Sequence, residues 1–176
     1  MQAYTARDVT GADIGGVAAL QHIAATIDYP MWIVTAANAN ERSGCLVGFA
    51  SQCSIEPLAF AVWISKANHT YRIATTSAVL AVHALRQGDH PLAELFGART
   101  GDDVDKFARC SWQPGPAGVP VLDGCDWFAG RVTARLDTGD HVCHVLDPLA
   151  GGIVTRDVAQ LSFSDVRDVD AGHDPD

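Results

Sequence analysis

Apolar residues in this chain fall into short runs separated by polar or Gly/Pro breaks, and one early run has helical spacing. In residues 14–27, Val17, Leu20, Ile23, Ala24 and Ile27 recur at that spacing. Asp13 is placed to cap its start, and Asp28-Tyr29-Pro30 to end it, because a residue before proline avoids helical geometry. Residues 31–37 (MWIVTAA) are β-branched, aromatic and apolar, which predicts a strand. A polar loop over 38–44 and an apolar run over 45–54 make the next strand and a hairpin. After the break at Ile55-Glu56-Pro57, residues 58–65 (LAFAVWIS) predict a further strand. Thr70 stands where the N-cap of a short helix over 71–76 is expected.

The second half continues in the same manner. Residues 79–85 (VLAVHAL) read as a buried strand, 90–96 as a short helix closed by Gly97, and 102–108 as another with aspartates in its first turn. Residues 113–120 (QPGPAGVP) read as a mobile Pro/Gly-rich loop. Two long strands follow, 127–136 and 141–149, joined by the turn Asp137-Thr138-Gly139-Asp140. In the first, Val132, Ala134 and Leu136 alternate with Arg131, Thr133 and Arg135. Residues 158–163 predict a last short strand. Strand following strand without regular helical crossovers argues for a mainly β, antiparallel barrel rather than a doubly wound sheet. Residues 1–164 are expected to form one domain, with 165–176 an acidic, frayed tail.

Composition narrows the partners. With 176 residues, 48% hydrophobic and 19% charged, the chain fits an ordinary globular domain with its own core. A formal charge of −9 with no basic run argues against nucleic acid and anionic membranes as partners. The five cysteines (Cys45, Cys53, Cys110, Cys125, Cys143) include no CxxC pair, so reduced thiols in a cytoplasm are expected. No run is long enough for a membrane span, and the start lacks the pattern of a secretory signal.

Most catalytic motifs are missing. There is no GxGxxG, Walker loop or GxSxG. His141 and His144 are three apart and face opposite sides of a strand, so no metal site is expected there despite Asp140 and Asp147 nearby. Cys45 and Cys53, eight apart, are expected to share a strand face as small buried hydrophobes. The stretch 44–70 is different. Residues Val47, Gly48, Phe49, Ala50 and Ser51 can edge a flat, partly apolar slot, Gly48 permitting close backbone approach. Lys66, Asn68 and Thr70, with N–H groups of a helix starting near Thr70, can form an anion site. Such a pairing suits the ring and phosphate of a flavin. Spacing alone leaves the plainer alternative open: a solvated Lys66 and a Thr70 that only caps.

At these residues the chain resembles the flavin reductase-like family, the FMN-binding split barrels that include the reductase components of two-component flavin monooxygenases. Tyr29-Pro30 with Ile33-Val34-Thr35 resembles the family's opening Pro and "V-T" strand. Gly44 and then Phe49-x-Ser51-x-Cys53-x-x-Glu56-Pro57-Leu58 is similar to its "S-F-x-S-V-S-x-x-P-P-L" segment. Ser65-Lys66-x-Asn68-x-Thr70 resembles "K-x-S-x-T", and Gly139-Asp140-His141 resembles its "G-D-H" turn. The resemblance implies a split barrel with FMN (or FAD) against Thr35, Val47 to Ser51 and Cys53, its phosphate near Lys66, Asn68 and Thr70, and His141 as the catalytic candidate. It also implies NADH or NADPH as co-substrate, a homodimer with flavin near the interface, and a possible flavin-dependent monooxygenase partner.

The chain departs from that pattern at Val47, Gly48 and Cys53, where hydroxyl or amide side chains are usual, and at Ala59, where a Pro pair is not continued. Three functions therefore stand: an NAD(P)H:flavin reductase, a non-catalytic FMN-binding electron carrier, and a split barrel adapted to haem or deazaflavin.

Overall fold

Nine strands and three α-helices make up the described part of the chain, residues 15–98, 104–154 and 157–169 of this computed structural model. In order they are α1 (Gly16–Ala24), β1 (Trp32–Ala37), β2 (Arg42–Val47), β3 (Ala50–Ile55), β4 (Leu58–Ser65), α2 (His69–Ala74) and β5 (Val79–Ala84). These are followed by α3 (His90–Gly97), β6 (Trp112–Pro114), β7 (Pro120–Leu122), β8 (Asp126–Asp137) and β9 (His141–Gly152). Seven strands form one antiparallel sheet in the order β2-β1-β5-β8-β9-β4-β3; β6 and β7 pair separately.

The sheet curls. In a flat sheet β2 and β4 would lie five strand spacings apart, roughly 24 Å at about 4.8 Å each. Yet Cys45 and Val47 of β2 share one core with Val62 and Ile64 of β4, Val34 of β1, Leu80 of β5 and Leu146 of β9. Ile73 and Ala74 of α2 enter the same cluster, so the short helix plugs this barrel-like core. The fold is the mainly β, antiparallel one expected from the strand pattern. A second cluster on the outer side of β1 joins Met31 and Ile33 to Phe96 of α3, Phe107, Leu122 and the C-terminal Leu161 and Val166.

Several boundaries differ from the sequence reading. The run 45–54 is two strands: Val34↔Cys45 pairs β2 with β1, whereas Ser51↔Ala61 pairs β3 with β4. The chain turns at Gly48-Phe49, with Ala50 N–H donating to the Gly48 carbonyl. Cys45 and Cys53 therefore share no face; Cys45 is buried and Cys53 exposed. The polar loop shortens, because Arg42, Ser43 and Gly44 are drawn into the ladder opposite Ala37, Ala36 and Thr35.

Residues 113–120 are partly strand, since Trp112 to Pro114 pairs with Leu122 to Pro120 around a 3-10 turn at Pro116–Gly118. The expected helix over 102–108 is a 3-10 turn at Lys106–Arg109 capped by Asp105; residues 102 and 103 lie outside those described, as does Asp13. Helix α1 forms, but none of its residues is buried, and Val17, Leu20 and Ile23 remain exposed. The strand expected over 158–163 reduces to two isolated bridges, Arg86↔Gln160 and Pro30↔Ser162, followed by a 3-10 turn at Phe163–Val166. Packing continues past residue 164: Val166 is buried and Val169 packs against the second core. The expected start of the frayed tail at 165 is corrected accordingly.

Candidate functional site

A cavity of about 250 Å³ opens where the curled sheet leaves a gap between β2 and β4. Val47 comes from the end of β2, and Gly48 and Phe49 from the turn that follows; Trp63 and Ser65 come from β4. Asn68 and His141 stand at its polar end. Tyr29, Phe163, Val166 and Val169 form the outer wall, and Phe96 and Gly97 of α3 close one side.

The wall is held in place by local chemistry. Asp28 accepts hydrogen bonds from the Ser162 hydroxyl (2.9 Å), the Ser164 hydroxyl (2.8 Å) and the Ser164 N–H (2.8 Å). Those bonds, the Ser164 N–H first, hold the Asp28 carboxyl below its ordinary range. They fix Phe163, whose ring stacks on Tyr29 at 5.0 Å between centroids. Tyr29 in turn meets Phe49 at 6.0 Å, and Phe49 meets the His141 ring at 5.4 Å. Burial raises the Tyr29 hydroxyl pKa, with Asp28 adding to the effect. The cavity wall is thus a row of rings, a surface suited to a planar conjugated ligand.

Behind α3, the buried Lys106 Nζ donates to the carbonyls of Phe96 (3.0 Å) and Gly44 (3.1 Å), tying the helix end to β2. Burial pushes this lysine's pKa down. Gly44 and Gly97 allow the same close contact: a Cβ at Gly44 would meet Phe96 at 2.8 Å, and one at Gly97 would meet Leu46 at 3.0 Å.

At the polar end, Asn68 is the N-cap of α2, its side chain accepting from the Thr70 N–H at 3.0 Å. The cap expected at Thr70 therefore falls two residues earlier, because Asn68 is extended while Thr70 is already helical. Thr70 is fully buried, its hydroxyl 2.9 Å from that of Ser43. Lys66 Nζ donates to both oxygens of Asp137, at 2.9 and 2.8 Å. His141 Nδ1 lies 2.9 Å from Asp140 Oδ1, which fixes Nδ1 as the donor and leaves Nε2 outside that bond. The same contact holds the Asp140 carboxyl below its usual range.

Of the residues singled out in the sequence, Val47, Gly48, Phe49, Asn68 and His141 line the cavity. Lys66 lies between two lining residues, Ser65 and Asn68, with its ammonium on Asp137. Ala50, Ser51 and Cys53 lie along β3 outside the lining, and the Ser51 hydroxyl donates to the Gln52 carbonyl. Thr35 is fully buried, donates to the Pro120 carbonyl at 2.6 Å, and is not among the lining residues. His144 has its ring in the core, with Nδ1 at 3.1 Å from the Val142 carbonyl, so the two histidines do not share a site.

Sequence reasoning missed Tyr29, Trp63, Phe163, Val166 and Val169 as cavity residues. The last three had a signal: Phe163, Val166 and Val169 recur every third residue inside an otherwise acidic stretch, the period of a 3-10 turn.

The profile of the family described as "Flavin reductase like domain" matches residues 24–168. The chain belongs to this family. It is 31% identical over 110 residues to the FMN reductase (NADH) RutF of Methylorubrum extorquens, an overlap covering 62% of this chain. The chain spans about half (53%) of that relative's length. Its fold is similar to the flavin reductase domain protein of Arthrobacter sp. FB24, with TM-score 0.73, 21% identity and coverage of 82% and 89% of the two chains. It is also similar to nitrilotriacetate monooxygenase component B from Mycobacterium thermoresistibile, with TM-score 0.69, 20% identity and coverage of 77% and 75%.

Proposed function

We propose that the protein is an NADH-dependent flavin reductase whose flavin sits in the cavity between β2 and β4. The carrying observation is the lining itself: a row of rings and apolar side chains along the slot, with Asn68, Ser65 and His141 at one end. This donor set fits a flavin, whose ring system is flat and largely apolar and whose ribityl phosphate is polar. A bound flavin supplies the hydride acceptor.

The chain's own residues do the rest. Val47, Gly48 and Phe49 form the slot edge, while Tyr29 and Phe163 shield the ring site from water. Asn68 and Lys66 stand at the phosphate end, and Ser51 and Cys53 of β3 flank the mouth from outside. His141, oriented by Asp140, presents its Nε2 to hold or deliver a proton at the slot's end. Thr35 and Thr70 support the site from within the core.

The family supports FMN as the flavin and NADH as the reductant, following the name of the Methylorubrum relative, with FAD and NADPH as the competing pair. The likeness to a monooxygenase component supports a flavin-dependent monooxygenase as the consumer of reduced flavin. Exposed Leu58, Leu136 and Leu149 on the sheet support a homodimer. Among the described residues no helix is long and apolar enough to cross a membrane, and the free cysteines support a reducing cytoplasm.

The test is NADH oxidation with FMN added to the purified protein, alongside melting curves with FMN and FAD. Turnover supports the reductase; a flavin-induced rise in melting temperature without turnover supports an electron carrier. A protein that shows neither, and whose spectrum has no flavin band, does not carry this function.

A further inference from the structure

Charges at the polar end of the cavity are arranged against a dianionic ligand. Lys66, which follows the lining residue Ser65, has both oxygens of Asp137 on its ammonium. Asp137 is itself fixed, since its Oδ1 also accepts from the Gly139 N–H at 3.1 Å. The same turn supplies a second carboxylate, Asp140, which engages His141, and the Lys66 N–H is bound to the Asp140 carbonyl at 2.8 Å. One carboxylate, that of Asp137, thus occupies the ammonium of the lysine next in sequence to Ser65, while that of Asp140 is on His141. A phosphate arriving there meets a lysine whose ammonium is already paired with a carboxylate.

We propose that Asp137 is a specificity-determining residue, holding Lys66 in place of the flavin phosphate so that flavin is bound by its ring and exchanged freely as a substrate. This rests on the cavity being the flavin site. Its consequence is a weak distinction between FMN and riboflavin, which share the ring and differ in the phosphate. The Lys66–Asp137 pair is water-exposed, at 37% and 69% of the side chains, so the contact can be altered without disturbing the core.

The experiment titrates riboflavin and FMN separately into wild type, Asp137→Asn, Lys66→Ala and the double variant, at low salt and near 1 M salt. Wild type is expected to bind the two flavins within about threefold of each other, because the phosphate gains little from a paired lysine. Asp137→Asn is expected to tighten FMN about three- to tenfold while leaving riboflavin unchanged, since a charge-assisted bond to phosphate replaces the one to carboxylate. That gain should vanish at high salt and in the double variant.

Riboflavin binding also reports that each variant is folded. Unchanged or weakened FMN binding by Asp137→Asn, with riboflavin still bound, overturns the assignment; so does a gain that survives Lys66→Ala. Wild type binding neither flavin instead overturns the reading of the cavity, and the assignment with it.

Discussion

The ring of Tyr29 fills the space that a side chain on Gly48 would need. The glycine is therefore required by an aromatic residue of the protein itself, rather than by the close approach of a ligand's edge that its place in the sequence suggested. Through Tyr29 the turn between β2 and β3 is coupled to Phe163 and so to the C-terminal segment.

Gly48→Ala should force Tyr29 out of its stack. Overpacking of this kind costs about 1–3 kcal/mol. Denaturant unfolding should show that loss, and the same substitution in a Tyr29→Ala background should cost less than half as much. Equal costs in the two backgrounds would show that the glycine serves some other contact.

Thr70 separates a ligand-binding role from a structural one. Its hydroxyl is buried against that of Ser43, so Thr70→Val leaves a buried hydroxyl without its partner. A loss of about 1–3 kcal/mol of stability is expected, with FMN affinity within twofold of wild type once the variant is folded. A large fall in FMN affinity at unchanged stability would restore Thr70 to the phosphate site.

His83 should make stability depend on pH. It is fully buried, accepts from the Leu122 N–H at Nε2 (3.0 Å), and so donates from Nδ1 to the Ile33 carbonyl (3.0 Å). Burial depresses its pKa from 6.5 to about 4. Above pH 6.5 both folded and unfolded chains hold it neutral. Between 6.5 and 4 only the unfolded chain takes up the proton, so stability falls as the pH falls through this window, by about 3 kcal/mol in all. Burial lowers His144 to about 4 as well, which adds a second contribution of the same sign. Unfolding curves from pH 7.5 to 4.5 should show the slope, and His83→Leu should flatten it while costing stability at neutral pH.

Lys106→Met keeps the apolar stem but strips two carbonyls, those of Gly44 and Phe96, of their donor. Unpaired buried acceptors cost about 1–3 kcal/mol each. The C-terminal end of α3 should loosen first, seen as faster amide exchange in residues 93–97 than in β5. Uniform exchange across both elements would mean that the lysine stabilises the fold without fixing this helix.

Elements whose reasons are local were legible in the sequence. Strand β4 runs from Leu58 to Ser65 as its apolar pattern indicates, and β5 and α3 lie within a residue of expectation. The division of 45–54 was not legible, because the turn at Gly48 answers to Tyr29, a residue from an earlier segment. For the same reason Asp28 and Tyr29 read as a helix stop, and Tyr29 as part of the family resemblance, but not as the anchors of Ser162, Ser164 and Phe163 across most of the chain. The cap moved from Thr70 to Asn68 because asparagine is the better N-cap of the two and Thr70 is buried against Ser43. Lys66 was visible as a cation, but its partner Asp137 is brought beside it only by the pairing of Ser65 with His141.

The outer wall of the cavity has an order of arrival. All nine strands end by Gly152, yet Phe163, Val166 and Val169 come later. A nascent chain can therefore complete its sheet while still lacking one side of the slot, and domains generally fold as their residues emerge during synthesis. The newly made barrel must pass through an interval in which Tyr29 has no stacking partner and the slot lies open to water. Chains released early in that interval would carry the whole sheet but lack Phe163, Val166 and Val169 of the outer wall.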